Sequence, residues 1–171
     1  MSNLDTGGGG QSGDHAREYR QTLGRVPTGV AFVSARTLDG EAAGLLINSF
    51  TSVSLAPPMV LWCLGLSSRS RGVFAVAPGF AVSVLSQDQR ALLNDLCRPL
   101  EQRLQGIPLR DGLGGAPILE AAAAVFECST VTVTRAGDHE VFLGQVERFD
   151  RRDGPPLAYL AGQYGHVQIA A

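Results

Sequence analysis

Lysine is absent from the 171 residues, and all 14 basic residues are arginine. Without lysine the chain cannot carry the phosphate-binding motif GxxxxGK[ST] or a pyridoxal Schiff base, since both need that side chain. The net charge of −2 gives no electrostatic reason to expect nucleic acid as a partner. P-loop, pyridoxal and nucleic-acid-binding functions are therefore disfavoured from the start.

Motifs of several other catalytic sites are missing as well. No GxGxxG follows a predicted strand, and neither GxSxG nor HExxH occurs. The three cysteines, Cys63, Cys97 and Cys128, fit neither a zinc spacing nor a disulfide framework. We therefore expect no metal site, and no motif supports a Rossmann enzyme or a hydrolase.

Long apolar runs are absent too. None approaches the ~20 residues that a membrane helix needs, and the N-terminus lacks a basic-then-apolar signal pattern. We expect a cytoplasmic protein with no membrane partner. With 44% hydrophobic and 18% charged residues, the composition is typical of a globular chain whose length fits one domain.

The glycine-rich start of the chain differs from the rest. Residues 1–13 are predicted to be a flexible leader, and residues 14–171 a single folded domain. Asp14 is placed to cap a helix in which Tyr19, Leu23 and Val26 recur with helical spacing. Pro27 is expected to end that helix.

After Pro27 the pattern changes to about seven short extended runs separated by turn residues. The predicted strands are Gly29–Ala35, Ala42–Phe50, Met59–Leu64, Phe80–Leu85, Val125–Thr134, Glu140–Phe149 and Pro156–Leu160. Short helices are predicted over Arg69–Ala77 and after the capping-box residue Ser86, and Arg98–Pro117 is predicted to be a surface excursion. This pattern favours a mainly β fold, an antiparallel barrel with a few short helices.

Small polar residues gather at two predicted strand ends. Asn48–Ser54 offers hydroxyls and an amide to a planar heterocycle, although a polar loop capping the barrel explains it too. Ser67–Arg71 combines hydroxyls, arginines and a helix start, which suits a phosphate but also an ordinary N-cap. His139 lies in a predicted turn and Tyr164 between glycines, and a plain turn is the simpler reading of each.

Taken together, these segments resemble a known family. The chain is similar, from about Tyr19 to Gly165, to the flavin reductase components of two-component flavin-dependent monooxygenases. The matching segments follow one another in the family's order: Arg25–Val30, Asn48–Pro58, Ser67–Ser70, Phe80–Leu85, Gly137–His139 and Phe142–Gly144. Several motifs in fixed order are far more specific than any one of them.

The resemblance implies an FMN-binding split β-barrel that forms a homodimer, with FMN or FAD near the subunit interface. It implies roles by position. The flavin ring would contact Pro27, Thr28, Val30, Leu46, Ile47, Asn48 and Ser49, and the ribityl chain Thr51 and Ser52. The phosphate would bind Ser68, Arg69 and Ser70, and His139 and Tyr164 would lie on the nicotinamide side.

Four positions depart from the family pattern. Leu46 stands where small or hydroxyl residues are usual, and so bears on flavin affinity or chemistry. Ser83 replaces a common asparagine, Phe126 a tryptophan, and Cys97 an aromatic residue, and we interpret these three as core or strand variation.

The expected activity is reduction of free or loosely bound FMN or FAD by NADH or NADPH, with reduced flavin passed to a partner monooxygenase. Hydride passes directly between the two cofactors, so no acid–base residue is required and His139 would only help to place the nicotinamide. One alternative is a flavin-bound oxidase or oxygenase on the same barrel, acting on an organic substrate. Another is a non-catalytic flavin-binding partner subunit. The choice between FMN and FAD, and between NADH and NADPH, stays open.

Overall fold

The structure, a computed structural model, describes residues 9–168. Its first element is helix α1, Gly9–Leu23, which starts five residues before the expected cap at Asp14. Residues 9–13 of the predicted leader are therefore helical. Glycine lowers the stability of a helix by only about 1 kcal/mol per residue, so it does not exclude one. The rest of the predicted leader, residues 1–8, lies outside the described residues.

The described part of the chain folds into twelve strands and four α-helices. The strands are β1 Thr28–Gly29, β2 Ala31–Arg36, β3 Ala42–Ile47, β4 Thr51–Leu55, β5 Pro58–Gly65, β6 Gly79–Val84, β7 Leu109–Asp111, β8 Pro117–Leu119, β9 Ala124–Ala136, β10 His139–Arg151, β11 Leu157–Leu160 and β12 Gln163–His166. The later helices are α2 Arg71–Val76, α3 Leu93–Leu96 and α4 Leu100–Arg103, with 3₁₀ turns at Gln87–Leu92 and Leu113–Gly115.

All strand pairs are antiparallel, as expected for the predicted fold class. Seven strands form the main sheet in the order β3-β2-β6-β9-β10-β5-β4, so β3 and β4 are its edges. A second sheet has the order β1-β11-β12, and β7 and β8 form a hairpin. The predicted mainly β architecture with few short helices is confirmed.

Alternate residues of β2 face two separate hydrophobic cores. Ala31 and Val33 point to one core and Phe32 to the other, because successive side chains leave a strand on opposite faces. The first core centres on Trp62, whose ring stacks on Phe142 at 4.5 Å between centroids. The main sheet is thus covered on both sides, and its ligand-accessible positions lie at strand ends and edges.

Several predictions about local structure are wrong. The predicted strand Gly29–Ala35 is divided, since β1 ends at Gly29 and β2 begins at Ala31. The predicted strand Ala42–Phe50 is too long: β3 ends at Ile47, and the next strand, β4, begins only at Thr51. The chain bends between them because the Ser49 hydroxyl accepts a hydrogen bond from the Cys63 backbone N–H at 3.0 Å. This bend, absent from the strand pattern, turns Asn48 out of the sheet at the end of β3.

The predicted surface excursion, Arg98–Pro117, contains α4 and most of the β7–β8 hairpin. Ile107 and Ala116 within it are buried, and the neighbouring Ile118 is fully buried. The Leu113 N–H donates to the buried Glu127 carboxylate at 2.5 Å, which fixes the excursion against β9. The apolar residues of this segment are too widely spaced in the sequence to indicate a strand or a long helix. In the folded chain they cover the second hydrophobic core.

Candidate functional site

A cavity of about 210 Å³ opens where the end of β3 meets the small sheet. We call it the tyrosine cavity; its walls are Val30, Leu46, Ile47, Asn48, Tyr159 and Tyr164. Strand pairing creates it: Tyr159 on β11 lies opposite Thr28 on β1 and also opposite Tyr164 on β12. The two tyrosine rings lie 5.2 Å apart between centroids and are tilted by 55°, so the wall is apolar with phenol groups on it.

A larger cavity of about 650 Å³, the helix cavity, adjoins the first. Asn48 and Tyr159 line both, and α1 and the turn after it supply the outer wall. The Ala161 N–H donates to the Gly24 carbonyl at 2.9 Å, which ties the end of α1 to the β11–β12 turn. Two adjoining cavities with shared walls can hold two ligands in contact with each other.

Thr28 gives this region an unsatisfied polar atom. Thr28 lines the helix cavity, and its Oγ1 is buried without a hydrogen-bond partner in the described part of the chain. Buried polar atoms are nearly always paired, and leaving one unpaired costs about 1–3 kcal/mol. A ligand with polar ring atoms would satisfy it, so the residues present fit a heterocyclic cofactor such as a flavin.

The third cavity, of about 410 Å³, lies on the other face of β3. Leu45 lines it whereas Leu46 lines the tyrosine cavity, as expected for successive strand residues. We call it the serine–arginine cavity; its remaining walls are Ser68, Arg69, Ser70, Cys97, Arg98, Pro99, Leu100 and Arg103. Hydroxyls and guanidinium groups together suit an anionic ligand group such as a phosphate.

Each arginine of the serine–arginine cavity already has a partner. Arg69 forms an ion pair with Glu101, and Arg98 one with Asp95 at 2.5 Å. Arg103 donates to the backbone carbonyl of Gly44 at 2.5 Å and thereby fixes α4 over the open edge of β3. Arg69 and Glu101 are both exposed, so a phosphate can exchange for the carboxylate there without burying a lone charge.

Tyr164 lines the tyrosine cavity, and Cys97 lines the serine–arginine cavity. Partial burial raises the pKa of Tyr164, and electrostatic interactions with Cys97 and Tyr159 raise it further. A single ligand with its ring in one cavity and its phosphate in the other would have to pass the end of β3.

Five of the predicted site residues line none of these three cavities: Pro27, Ser49, Thr51, Ser52 and His139. Ser49 is occupied with the Cys63 backbone, as described above. Thr51 and Ser52 are exposed on the edge strand β4. Their predicted contacts with a flavin stay predictions.

His139 lies at the tip of the β9–β10 hairpin, opposite Gly65 of β5. Its Nδ1 is 2.7 Å from Oδ1 of Asp138, and this hydrogen bond, together with the histidine's charge, lowers the pKa of Asp138. The imidazole does not line the tyrosine cavity of its own chain. Within one chain, His139 is therefore not brought into the cavity that Tyr164 lines.

Sequence reasoning missed several wall residues: Tyr159, Arg20, Arg25 and Arg103. Tyr159 was detectable only through the pairing of β11 with β1, two segments separated by about 130 residues in the chain. Arg20 and Arg25 carried no local signal because solvated arginines are common on a helix and the turn after it.

Ser83 and Phe126, two of the departures from the family pattern, have structural roles. The fully buried Ser83 hydroxyl accepts the Leu119 N–H at 3.1 Å and so holds β8 against β6. The ring of Phe126 lies 5.2 Å from that of Phe50. These contacts agree with the interpretation of Ser83 and Phe126 as core or strand variation. Cys97, which was interpreted in the same way, instead lines the serine–arginine cavity, and Leu46 lines the tyrosine cavity.

The model of the flavin reductase like domain matches residues 23–168 of this chain. The chain belongs to this flavin reductase-like family. The matched residues include every strand that contributes to the three cavities. Within residues 9–168, no helix has the length and apolar character needed to cross a membrane.

Curated relatives of this flavin reductase-like chain carry matching names. A probable flavin reductase of Rhizobium meliloti is 40% identical over 90% of this chain, which spans 50% of that relative. The FMN reductase (NADH) SmoA of Agrobacterium fabrum is 38% identical over 90% of this chain and 87% of its own length. The chain thus spans about half of the first relative but most of the second.

One similar solved structure is a complex with cofactor fragments. The NADH:FAD oxidoreductase SgcE6 of Streptomyces globisporus, in complex with NAD and FAD fragments, superimposes with a TM-score of 0.84 at 29% identity, covering 98% of each chain. Further relatives at 30 to 36% identity are named as reductase components or subunits of a demethylase and of monooxygenases. One relative of 35% identity, from Streptomyces coelicolor, is named an actinorhodin polyketide dimerase.

Proposed function

We propose that this chain reduces FMN or FAD with NADH or NADPH and releases the reduced flavin. The observation that carries the proposal is the pair of adjoining cavities at the end of β3, which share Asn48 and Tyr159 as walls. Two flat rings must lie face to face for hydride to move between them, and adjoining cavities allow this. Hydride transfer from C4 of the nicotinamide to N5 of the flavin is the chemistry that the cofactors themselves supply.

The residues of the tyrosine cavity would hold the flavin ring. Val30, Leu46 and Ile47 would supply apolar contact, and the unpaired Thr28 Oγ1 on the wall of the adjoining helix cavity would supply a hydrogen bond. Asn48 is exposed at the bend after β3 and is placed to contact both ligands. None of these residues needs to transfer a proton, so a site without an acid–base pair suits this reaction.

The serine–arginine cavity would hold the flavin phosphate. Ser68 accepts the Ser70 N–H at 3.3 Å, and this hydrogen bond closes the turn before α2. Ser70 itself is only 2% exposed, so Ser68 and Arg69 are the more accessible donors of the three predicted residues.

A homodimer would complete the site. Val131 and Val133 on one face of the β9 tip are 52% and 42% exposed, an apolar surface that a second copy would cover. Pairing of two hairpins would carry His139 of each chain towards the other chain's cavities, which would account for its absence from the walls of its own tyrosine cavity. Sedimentation analysis tests this: V131D/V133D is expected to turn a wild-type dimer into a monomer, and a monomeric wild type would contradict it.

A partner monooxygenase would receive the reduced flavin. Asn48, a wall of both the tyrosine and the helix cavity, is exposed to solvent, which suits a flavin that is exchanged rather than retained. The names of several relatives as reductase components point to the same arrangement.

The deciding experiment crosses FMN and FAD with NADH and NADPH and follows nucleotide oxidation in a spectrophotometer. At least one combination is expected to turn over with the purified protein, and denatured protein is the control. No oxidation in any combination would refute the proposal. Flavin binding without turnover would instead indicate a non-catalytic flavin-binding subunit.

A second candidate is an oxidase or oxygenase that keeps its flavin and acts on an organic substrate. Two observations favour it: the apolar Leu46 where hydroxyl residues are usual in the family, and the relative named a polyketide dimerase. A protein that stays yellow through gel filtration and ignores pyridine nucleotides would support it. Loss of flavin on the column together with NADH or NADPH oxidation would exclude it.

A further inference from the structure

Arg20 and Arg25 are the cationic side chains on the wall of the helix cavity. Arg20 lies in the last turn of α1, and Arg25 follows in the turn before β1. Within the described residues, neither guanidinium has an ion-pair partner, in contrast to Arg69 and Arg98 of the serine–arginine cavity. Two unpaired guanidinium groups facing one cavity favour an anion there, because each can donate a forked pair of hydrogen bonds to phosphate oxygens.

The position of these arginines relative to the flavin site narrows the choice of anion. The helix cavity shares Asn48 and Tyr159 with the tyrosine cavity, and the proposed flavin phosphate site lies on the opposite face of β3. An anion near Arg20 and Arg25 therefore belongs to the ligand that approaches the flavin ring from the other side. At about 650 Å³ the cavity falls within the ~300–1,000 Å³ typical of small-molecule sites.

We propose that Arg20 and Arg25 bind the pyrophosphate of the nicotinamide dinucleotide and so place its nicotinamide against the flavin. This inference rests on the proposed function and adds to it the residues that recognise the hydride donor. The α1 end is held in position for this role by the Gly24–Ala161 hydrogen bond. Both arginines act by binding and not in the chemical step, so their loss raises KM and leaves kcat nearly unchanged.

The kinetic test uses FMN as the acceptor, so that only the nicotinamide nucleotide carries an adenosine diphosphate group. For R20A/R25A, the KM of the nucleotide that the wild type prefers is expected to rise about tenfold, with kcat within about twofold and the FMN KM unchanged. R20K/R25K should recover part of the loss. Arg17 is exposed on the same helix but does not line the cavity, so R17A is the matched control and should behave as wild type.

Two substrates separate this role from others. Reduced nicotinamide riboside lacks both phosphates and the adenosine, so its kcat/KM should be equal in the wild type and R20A/R25A. If kcat/KM falls equally for the riboside and the dinucleotide, the arginines support the cavity rather than bind the pyrophosphate, and the inference is overturned. A rise in KM for FAD with none for the dinucleotide would assign them to the flavin's adenosine half and overturn it too.

A binding measurement gives a readout independent of turnover. Calorimetric titration of FMN-loaded protein with ADP-ribose should show binding to the wild type and to R17A, and about tenfold weaker binding to R20A/R25A. Equal affinities for all three would contradict the inference, provided that their melting temperatures agree. A wild type that binds ADP-ribose but reduces no flavin would refute the proposed function and leave this assignment standing.

Discussion

Arginines line cavities on both sides of β3, but the two groups have different surroundings. In the serine–arginine cavity, Arg69 is paired with Glu101 and Arg98 with Asp95. In the helix cavity, Arg20 and Arg25 have no such partner within the described residues. The first group can bind an anion only by exchange with an acid, whereas the second is available to a ligand directly.

The difference bears on how each ligand would be held. An ion pair exposed to water contributes only about 0–1 kcal/mol, so exchange of Glu101 for a phosphate is a modest adjustment and not a barrier. Such an exchangeable site would suit the phosphate of a flavin that, as proposed, leaves after each turnover. The comparison also shows that the number of arginines in a segment does not predict an anion site, because the acid that neutralises Arg69 lies 32 residues away in the chain.

The largest effect is expected from filling the tyrosine cavity. Leu46→Trp should fill most of the tyrosine cavity and lower flavin reduction by about a hundredfold, because the ring can no longer reach the stacked position. Stopped-flow kinetics and riboflavin titration measure this. Leu160→Trp, on β11 outside the cavities, is the control; equal loss in both variants would mean that Leu46 is not a wall of the flavin site.

The Arg69→Ala variant tests whether an arginine that is paired with an acid still binds the flavin phosphate. It removes a charge-assisted hydrogen bond, so the Kd of FMN should rise about tenfold. Riboflavin has no phosphate, and its Kd should stay unchanged; both are measured by quenching of flavin fluorescence. Equal weakening of both ligands would place the phosphate elsewhere.

Glu101→Gln tests the exchange itself and should act in the opposite direction. Without its carboxylate, Arg69 is free, and the Kd of FMN should fall about two- to threefold, the scale of one exposed ion pair. The same titration is the measurement, again with riboflavin as the control. A weaker FMN complex would show that Glu101 positions Arg69 for the ligand and does not compete with it.

The smallest effect is expected at the ion pair between Arg71 and Glu140, which lies outside the three cavities. Arg71 donates to both carboxylate oxygens of Glu140, at 2.6 and 2.9 Å, and these hydrogen bonds lower the pKa of Glu140. A lowered pKa means that the stabilisation exists above the ordinary value of about 4.3 and is lost as pH falls through the folded-state value. Glu140→Gln should therefore reduce stability at neutral pH by at most about 1 kcal/mol, with the wild type and variant converging in acid.

Thermal unfolding across pH measures this difference, and FMN affinity serves as the internal control because Arg71 lines none of the three cavities. A difference that persists unchanged at low pH would show that the glutamine disturbs packing and not the ion pair.

The fold class and the family followed from the sequence, because strand patterns such as Met59–Leu64 and Phe80–Leu85 are local and strongly apolar. Both segments are strands in the structure. Helix α2 was also found from its flanking signals, although it begins at Arg71 and not at Arg69. Elements of this kind need only neighbouring residues for their prediction.

The cavities could not be predicted in the same way. The tyrosine cavity needs β1 and β11 to pair, and the helix cavity needs α1 to contact the β11–β12 turn. The bend after β3 depends on Ser49 bonding to Cys63, fourteen residues away. These contacts join distant segments, so the pattern near Asn48 indicated a polar segment without showing which walls would face it.

The central claim is that the cavities at the end of β3 hold a flavin against a nicotinamide nucleotide. The most direct measurement is anaerobic mixing of the FMN-loaded protein with NADH or NADPH while the visible absorbance of the flavin is followed. We predict rapid bleaching that free FMN does not show and that Leu46→Trp abolishes. A flavin spectrum that the protein leaves unchanged, with no acceleration of bleaching by either nucleotide, would contradict the account.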